Sequence, residues 1–257
     1  MDMELKGKVA VITGASRGIG KAIAQRLAAE GMRLVLAARS KDALQTICAG
    51  FRTGSVAFPA DLRQEESPAK LAAFAVDTFG GIDLLVNNAG ATKRGDFLSL
   101  TEADWTDGFA LKFYAAVRCS RSAWPHLVKS GGAIVNIIGV GGRTGRAEFA
   151  IGGTVNAALM NLTKVLADRG IADGVKVNAI NPGSIATDRL KTRIRMLAEE
   201  KDISIDEAES AMAQKLCVDR FGTPEEIASA VAFLASPLSD YCRGAILDVD
   251  GGQTKTL

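Results

Sequence analysis

Short, nearly unbroken apolar runs alternate with longer stretches whose apolar residues recur at helical spacing, and the alternation holds along all 257 residues. The runs at 9–13, 34–37, 56–59, 84–87, 133–138, 175–180 and 245–249 have strand length and lack the polar alternation of a half-exposed sheet. Such strands must be covered on both faces. Between them, Ile19, Ile23 and Leu27 fall on one helical face in 19–29, as do Val155, Leu159, Leu162 and Leu166 in 154–167. Strand–helix alternation of this kind predicts a doubly wound parallel α/β sheet with helices on both faces, of the Rossmann-like class. No linker, repeat or low-complexity tract interrupts it, so residues 1–257 read as one domain. The charged segment 187–215 is the one insert-like piece, placed where a substrate lid would follow a strand end.

Composition narrows the function. Charged residues make up 23% and the apolar types 47%, which excludes a disordered chain. The 31 basic and 29 acidic residues leave a net charge of +2, which gives no footprint for nucleic acid. No apolar run is long enough to span a membrane, and no secretory leader precedes the first strand, so the cytoplasm is the expected location. Cys48, Cys119, Cys217 and Cys242 are scattered without a C-x-x-C, and His126 is the single histidine. A zinc or other metal site, a disulfide framework and Ser-His-Asp chemistry are therefore not expected. His126 reads as an exposed residue near a helix end.

The first strand runs into Thr13-Gly14-Ala15-Ser16-Arg17-Gly18-Ile19-Gly20 and then a helix. Glycines here allow a tight turn, a close backbone approach to phosphate and close helix–strand packing, and the helix N-terminus offers N–H groups to a pyrophosphate. Further on come Asn87-Asn88-Ala89-Gly90, Pro182-Gly183-x-x-x-Thr187 and an ending RFGTPEEIA…FLAS…DVDGG. With these four motifs in order, essentially the whole chain resembles the classical short-chain dehydrogenase/reductase family. The resemblance implies that Gly14, Ser16, Arg17 and Ile19 line the cofactor phosphates and that Asp61 and Leu62 meet the adenine. It puts Asn88, Ala89 and Gly90 under the adenosine ribose, and Pro182, Gly183, Ile185 and Thr187 at the nicotinamide carboxamide.

At the end of the second strand Ala38 stands where an NAD-preferring site has an acid for the ribose 2′-OH. Arg39, beside Ser40 and with Arg17 from the glycine turn, can clamp a 2′-phosphate, so NADP(H) is expected over NAD(H).

The resemblance also implies a serine, a tyrosine, a lysine and an asparagine for carbonyl reduction, and at those places this chain carries Gly139, Gly152, Asn156 and Lys112. The two tyrosines, Tyr114 and Tyr241, lie elsewhere. Lys112 is the first candidate for a substitute proton carrier, because a desolvated lysine can titrate near neutrality. Glu148 is the second, and Asn156 can keep a ribose hydrogen bond without carrying charge. Lys93, Arg94, Arg143, Arg146 and Arg189 make a cationic rim that would suit an anionic small-molecule substrate.

The expected function is an NADP(H)-dependent oxidoreductase with a non-standard proton-transfer apparatus. The alternatives are an NADP(H)-binding sensor or partner subunit without turnover, and a non-redox lyase. Trp105, Phe109, Phe113 and Val117 recur every four residues as an apolar stripe longer than one core needs, and with the family's assembly they predict a homotetramer.

Overall fold

The computed structural model describes residues 2–256. Among them, seven strands form one parallel sheet in the order β3-β2-β1-β4-β5-β6-β7. These are β1 (Val9–Thr13), β2 (Arg33–Ala38), β3 (Ser55–Pro59), β4 (Leu84–Asn87), β5 (Ala133–Ile137), β6 (Lys176–Pro182) and β7 (Ile246–Val249). All seven apolar runs are strands, β1 and β4 with the expected bounds and the others displaced at their ends by one or two residues. β1, β4, β5 and β6 are buried along their full length, as unbroken apolar runs require.

Helices α1 (Gly18–Ala29) and α9 (Pro224–Ala235) cover one face, where Ile23, Leu27, Ile227 and Val231 pack on Ile12, Leu34 and Val135. Helices α3 (Ser67–Phe79) and α5 (Ala115–Ser130) cover the other, with Leu71, Cys119 and Leu127 against Val11, Leu85 and Ile134. α2 (Lys41–Ala49) joins β2 to β3. α6 (Ala150–Asp173) extends beyond the 154–167 pattern at both ends and stops at the left-handed Gly174. The order of the strands reverses between β1 and β4, so the crevice beyond their carboxyl ends is where this fold binds ligands.

The 187–215 segment is a pair of helices, α7 (Asp188–Lys201) and α8 (Ile205–Leu216), with a small apolar core of its own made by Leu190, Ile194, Ala198, Ala208, Met212 and Leu216. Two expectations change. The stripe 105–117 is not one regular helix: α4 (Glu102–Phe109) passes through a π-turn at Ala110–Tyr114 before α5 begins. Trp105, Phe109 and Phe113 pack against Ile151, Val155 and Leu159 of α6, so most of that stripe has a partner within the chain. His126 is half-buried inside α5 rather than exposed, one residue after Pro125.

Candidate functional site

The cofactor side of the crevice is built by a joint between β1 and β4. Thr13 Oγ1 donates to the Val86 carbonyl (3.1 Å) and accepts from the Asn88 and Ala89 N–H groups (2.9 and 3.0 Å). The Asn88 side chain donates to the Thr13 and Gly14 carbonyls (3.0 and 3.1 Å). Its amide is thus engaged in bracing the glycine turn. Gly14 has φ +66°, and a Cβ there would lie 2.9 Å from Ala89 Cα; a Cβ on Gly20 would strike the Gly14 carbonyl. No side chain caps the N-terminus of α1, so its free N–H groups face the crevice without an internal partner. These features fit a dinucleotide phosphate.

The other expected cofactor residues surround this turn. Thr187 precedes α7 without a side-chain capping bond, and its Cγ2 lies 3.4 Å from where a Cβ on Gly18 would be. Ile185 is buried and bridges to Gly222, which holds the segment from Pro182 and Gly183 across the crevice. Leu62 is buried in the core beside Leu71 and Val35. Asp61 accepts from the Arg63 N–H and guanidinium (3.0 and 3.3 Å). Arg17, Arg39 and Ser40 are exposed, and neither arginine forms an ion pair among the described residues. Ser16, Ile19, Ala89 and Gly90 line the same crevice on the turn and the β4 end.

Lys112, Asn156 and Gly139 meet at its other end. Lys112 projects from the π-turn, and its Nζ donates to the Ile138 carbonyl (2.7 Å) and to Asn156 Oδ1 (2.5 Å). The Asn156 Nδ2 in turn donates to the Gly139 carbonyl (3.1 Å). The lysine stem passes Gly90 so closely that a Cβ there would lie 3.0 Å from its Cγ and Cδ. Burial, with a smaller contribution from the Arg189 guanidinium, pushes the Lys112 ammonium down to about 7. An ammonium has three N–H bonds, and two are engaged here, which leaves one for a ligand.

Gly139 has φ +130°, a backbone region that a side chain would strain. Its N–H reaches Asn181 Oδ1 (3.3 Å), and Asn181 Nδ2 donates to Asp248 (2.8 Å). At Gly152 the space beyond the backbone is filled by the Phe149 ring, which a Cβ would strike. Phe149 was not among the expected site residues. Its signal was its place three residues before Gly152, at a helix start where one aromatic can cover a glycine.

The cationic rim is only partly free. Lys93 pairs with Asp104 (2.9 Å), and Arg143 pairs with Asp248 (3.1 Å). Arg94 stacks over the Phe149 ring at 4.1 Å, and Arg189 Nη2 donates to the Gly90 carbonyl (3.1 Å). Arg193 of α7, passed over in the sequence, joins Arg94 and Arg146. Glu148 is exposed, and a backbone hydrogen bond followed by the Arg94 and Arg146 guanidiniums hold its carboxyl below the usual range.

Comparison with known proteins agrees with this geometry. The family profile described as Enoyl-(Acyl carrier protein) reductase matches residues 14–254. An uncharacterized oxidoreductase of Mycobacterium tuberculosis is 38% identical over 99% of this chain and 95% of its own length. The 3-oxoacyl-[acyl-carrier-protein] reductase of Vibrio cholerae is 36% identical over 97% of this chain and 98% of its own. The crystal structure of L-sorbose reductase from Gluconobacter frateurii, complexed with NADPH and L-sorbose, superposes with a TM-score of 0.95 at 34% identity, covering 100% of both chains. With the β1–β4 crevice, the glycine turn and full-length relatives in agreement, the chain belongs to the classical short-chain dehydrogenase/reductase family and is an oxidoreductase of that type.

Proposed function

We propose that this chain is an NADP(H)-dependent oxidoreductase that interconverts a carbonyl and an alcohol on a small molecule, with Lys112 holding and transferring the proton. The observation that carries the reading is the Lys112 ammonium, held at 2.7 and 2.5 Å by Ile138 and Asn156 with a pKa of about 7. An acid–base group titrating near the working pH is the most effective kind. When bound, the nicotinamide supplies or accepts the hydride. Lys112 gives its remaining proton to the carbonyl oxygen in reduction and takes it back in oxidation. Asn156 orients the ammonium through Oδ1 and is itself fixed by the Gly139 carbonyl, so it is a positioning residue. Glu148, held ionised among guanidiniums, has the wrong company for a proton shuttle and is left out of that role.

NADP(H) is supported by Ala38 in the acid's place and by the exposed, unpaired Arg17 and Arg39. The NADPH in the L-sorbose reductase structure supports the same choice. Homotetramer assembly is supported by Tyr114 and Val128 at the two ends of α5, Val165 and Ile171 on α6, and Leu247 on β7, all large apolar residues open to solvent.

The test is steady-state NADPH oxidation with a panel of ketones across pH. Reduction needs the ammonium, so kcat/KM should fall as pH rises through about 7, and alcohol oxidation should rise over the same interval. Lys112→Met should lose about 10²–10⁴ in rate and the inflection with it. NADPH binding without turnover on any substrate would instead identify a nucleotide-binding protein. Arg39→Asp should weaken NADPH far more than NADH, and equal losses in calorimetry would defeat the cofactor assignment.

A further inference from the structure

The crevice beside Phe149 draws arginines from three separate parts of the chain. Arg94 comes from the loop after β4, Arg146 from the segment before α6, and Arg193 from α7. None of the three forms an ion pair among the described residues.

Their meeting is built into the chain. The Gly95 N–H donates to the Glu148 carbonyl (3.2 Å), which ties the loop after β4 to the 146–149 turn. Arg94 is then stacked on Phe149, so its guanidinium plane is fixed rather than free to swing. Arg193 and Arg146 lie near enough that each raises the cost of charging Arg94, which burial and these neighbours bring down to about 10. Arg193 is held low by burial and by Arg146 in the same way. Glu148 is the single acid acting on both. Arg189, four residues before Arg193 on α7, donates to the Gly90 carbonyl, which sets α7 beside the loop after β4, and its guanidinium acts on both Arg94 and Arg17.

Like charges packed with a single counter-ion among them destabilise a folded chain unless a ligand offsets the excess. We propose that Arg94, Arg146 and Arg193 bind the acid group of the substrate, and that this group is a dianion: a phosphate monoester or a pair of carboxylates. Arg94, Arg146 and Arg193, with Arg189 acting on Arg94 and Lys215 on Glu148, outnumber the one carboxylate of Glu148, so the site carries more positive charge than a singly charged ligand would offset. Guanidinium forks match the oxygens of both groups. The Phe149 ring fills the space beyond Gly152 and Gly141, and the space beyond Gly141 also reaches Asn156 Nδ2, so the proposal has one small molecule span the arginines and the Lys112–Asn156 end. This inference rests on the oxidoreductase reading above, since it names the substrate class of that pocket.

The experiment uses the full chain saturated with NADP⁺. Inorganic phosphate, malonate and acetate are titrated by calorimetry at matched ionic strength. Phosphate or malonate should bind at least tenfold tighter than acetate, and the tighter of the two distinguishes a phosphate ester from a dicarboxylate. Arg146→Gln and Arg193→Gln should each weaken that anion at least tenfold. Glu148→Gln should tighten it, a gain that a misfolded variant cannot give. NADPH affinity, followed by its fluorescence, should stay unchanged in all three variants. Equal binding of all three anions, or no response to Glu148→Gln, would overturn the proposal. So would a matching loss of NADPH affinity in the arginine variants, because the cluster would then serve the cofactor. Failure of the unmodified chain to bind NADPH would instead remove the oxidoreductase reading, whatever the anions do.

Discussion

Phe149 and Gly152 set the tightest constraint in the site, because the ring occupies the space into which any side chain at 152 would grow. Gly152→Ala should destabilise the fold by about 1–3 kcal/mol through overpacking. Phe149→Ala should relieve it, so that the double variant melts above the sum of the single losses, measured by thermal unfolding of all three. The same geometry argues that Gly139→Ser, Gly152→Tyr and Asn156→Lys together will not create a reductase of ordinary type. Serine would inherit φ +130°, and the phenol would meet the Phe149 ring. A stable triple variant that turns over simple ketones would sink this view. Lys112 carries a second prediction. Its folded pKa of about 7 lies below the ordinary lysine value of 10.5, so the unfolded chain binds more protons between those values. The penalty is complete below pH 7 and fades as pH approaches 10.5. Lys112→Met should therefore show its largest relative gain in melting temperature at or below about pH 7, shrinking steadily toward about pH 10. Sequence spacing picked out Lys112 and Asn156 separately. Their bond was not legible, since it joins residues 44 apart through the rotational phase of a helix.

That phase is set by an element, the π-turn at Ala110–Tyr114. One extra residue rotates the chain beyond it by about 100° relative to a regular helix, at roughly 3.6 residues per turn. Periodicity by fours continued across it without a break, so nothing in the apolar pattern announced it. The α7–α8 pair is the other element, read from the sequence as a charged lid segment with no sign of a core of its own. Its apolar residues, Leu190, Ile194, Ala198, Ala208, Met212 and Leu216, face one another instead of the sheet. A unit with its own small core can loosen without disturbing the main one. Ile194→Ala should cost about 2–5 kcal/mol where that core is tight. Amide exchange should quicken across Asp188–Leu216 while β1 to β5 stay protected, and NADPH should bind more weakly because Thr187 leads into α7 and Arg189 lies in its first turn. Uniform quickening over the whole sheet would show that the pair is not a separate unit.

For the whole molecule, strand order followed from unbroken apolar runs and strand–helix alternation, both of which are local and dense in the sequence. Arginine convergence was less legible. Nothing local told Arg143, whose acid Asp248 waits across the fold, or Lys93, whose partner Asp104 sits in the next helix, from Arg94 and Arg146, which form no ion pair among the described residues. The large apolar residues left open on α5, α6 and β7 predict a homotetramer. Light scattering at micromolar concentration should give four times the 26.9 kDa chain mass, and a monomer would rule the assembly out. The β1–β4 joint has a last consequence. The Thr13 hydroxyl gives one hydrogen bond and accepts two, and both Asn88 Nδ2 contacts are already made to backbone. Those groups do not wait for a ligand, so a dinucleotide arriving there finds a finished floor. Any adjustment that binding requires is expected on the α7 side, whose apolar core is separate from the sheet's, as in a vise whose one jaw is fixed.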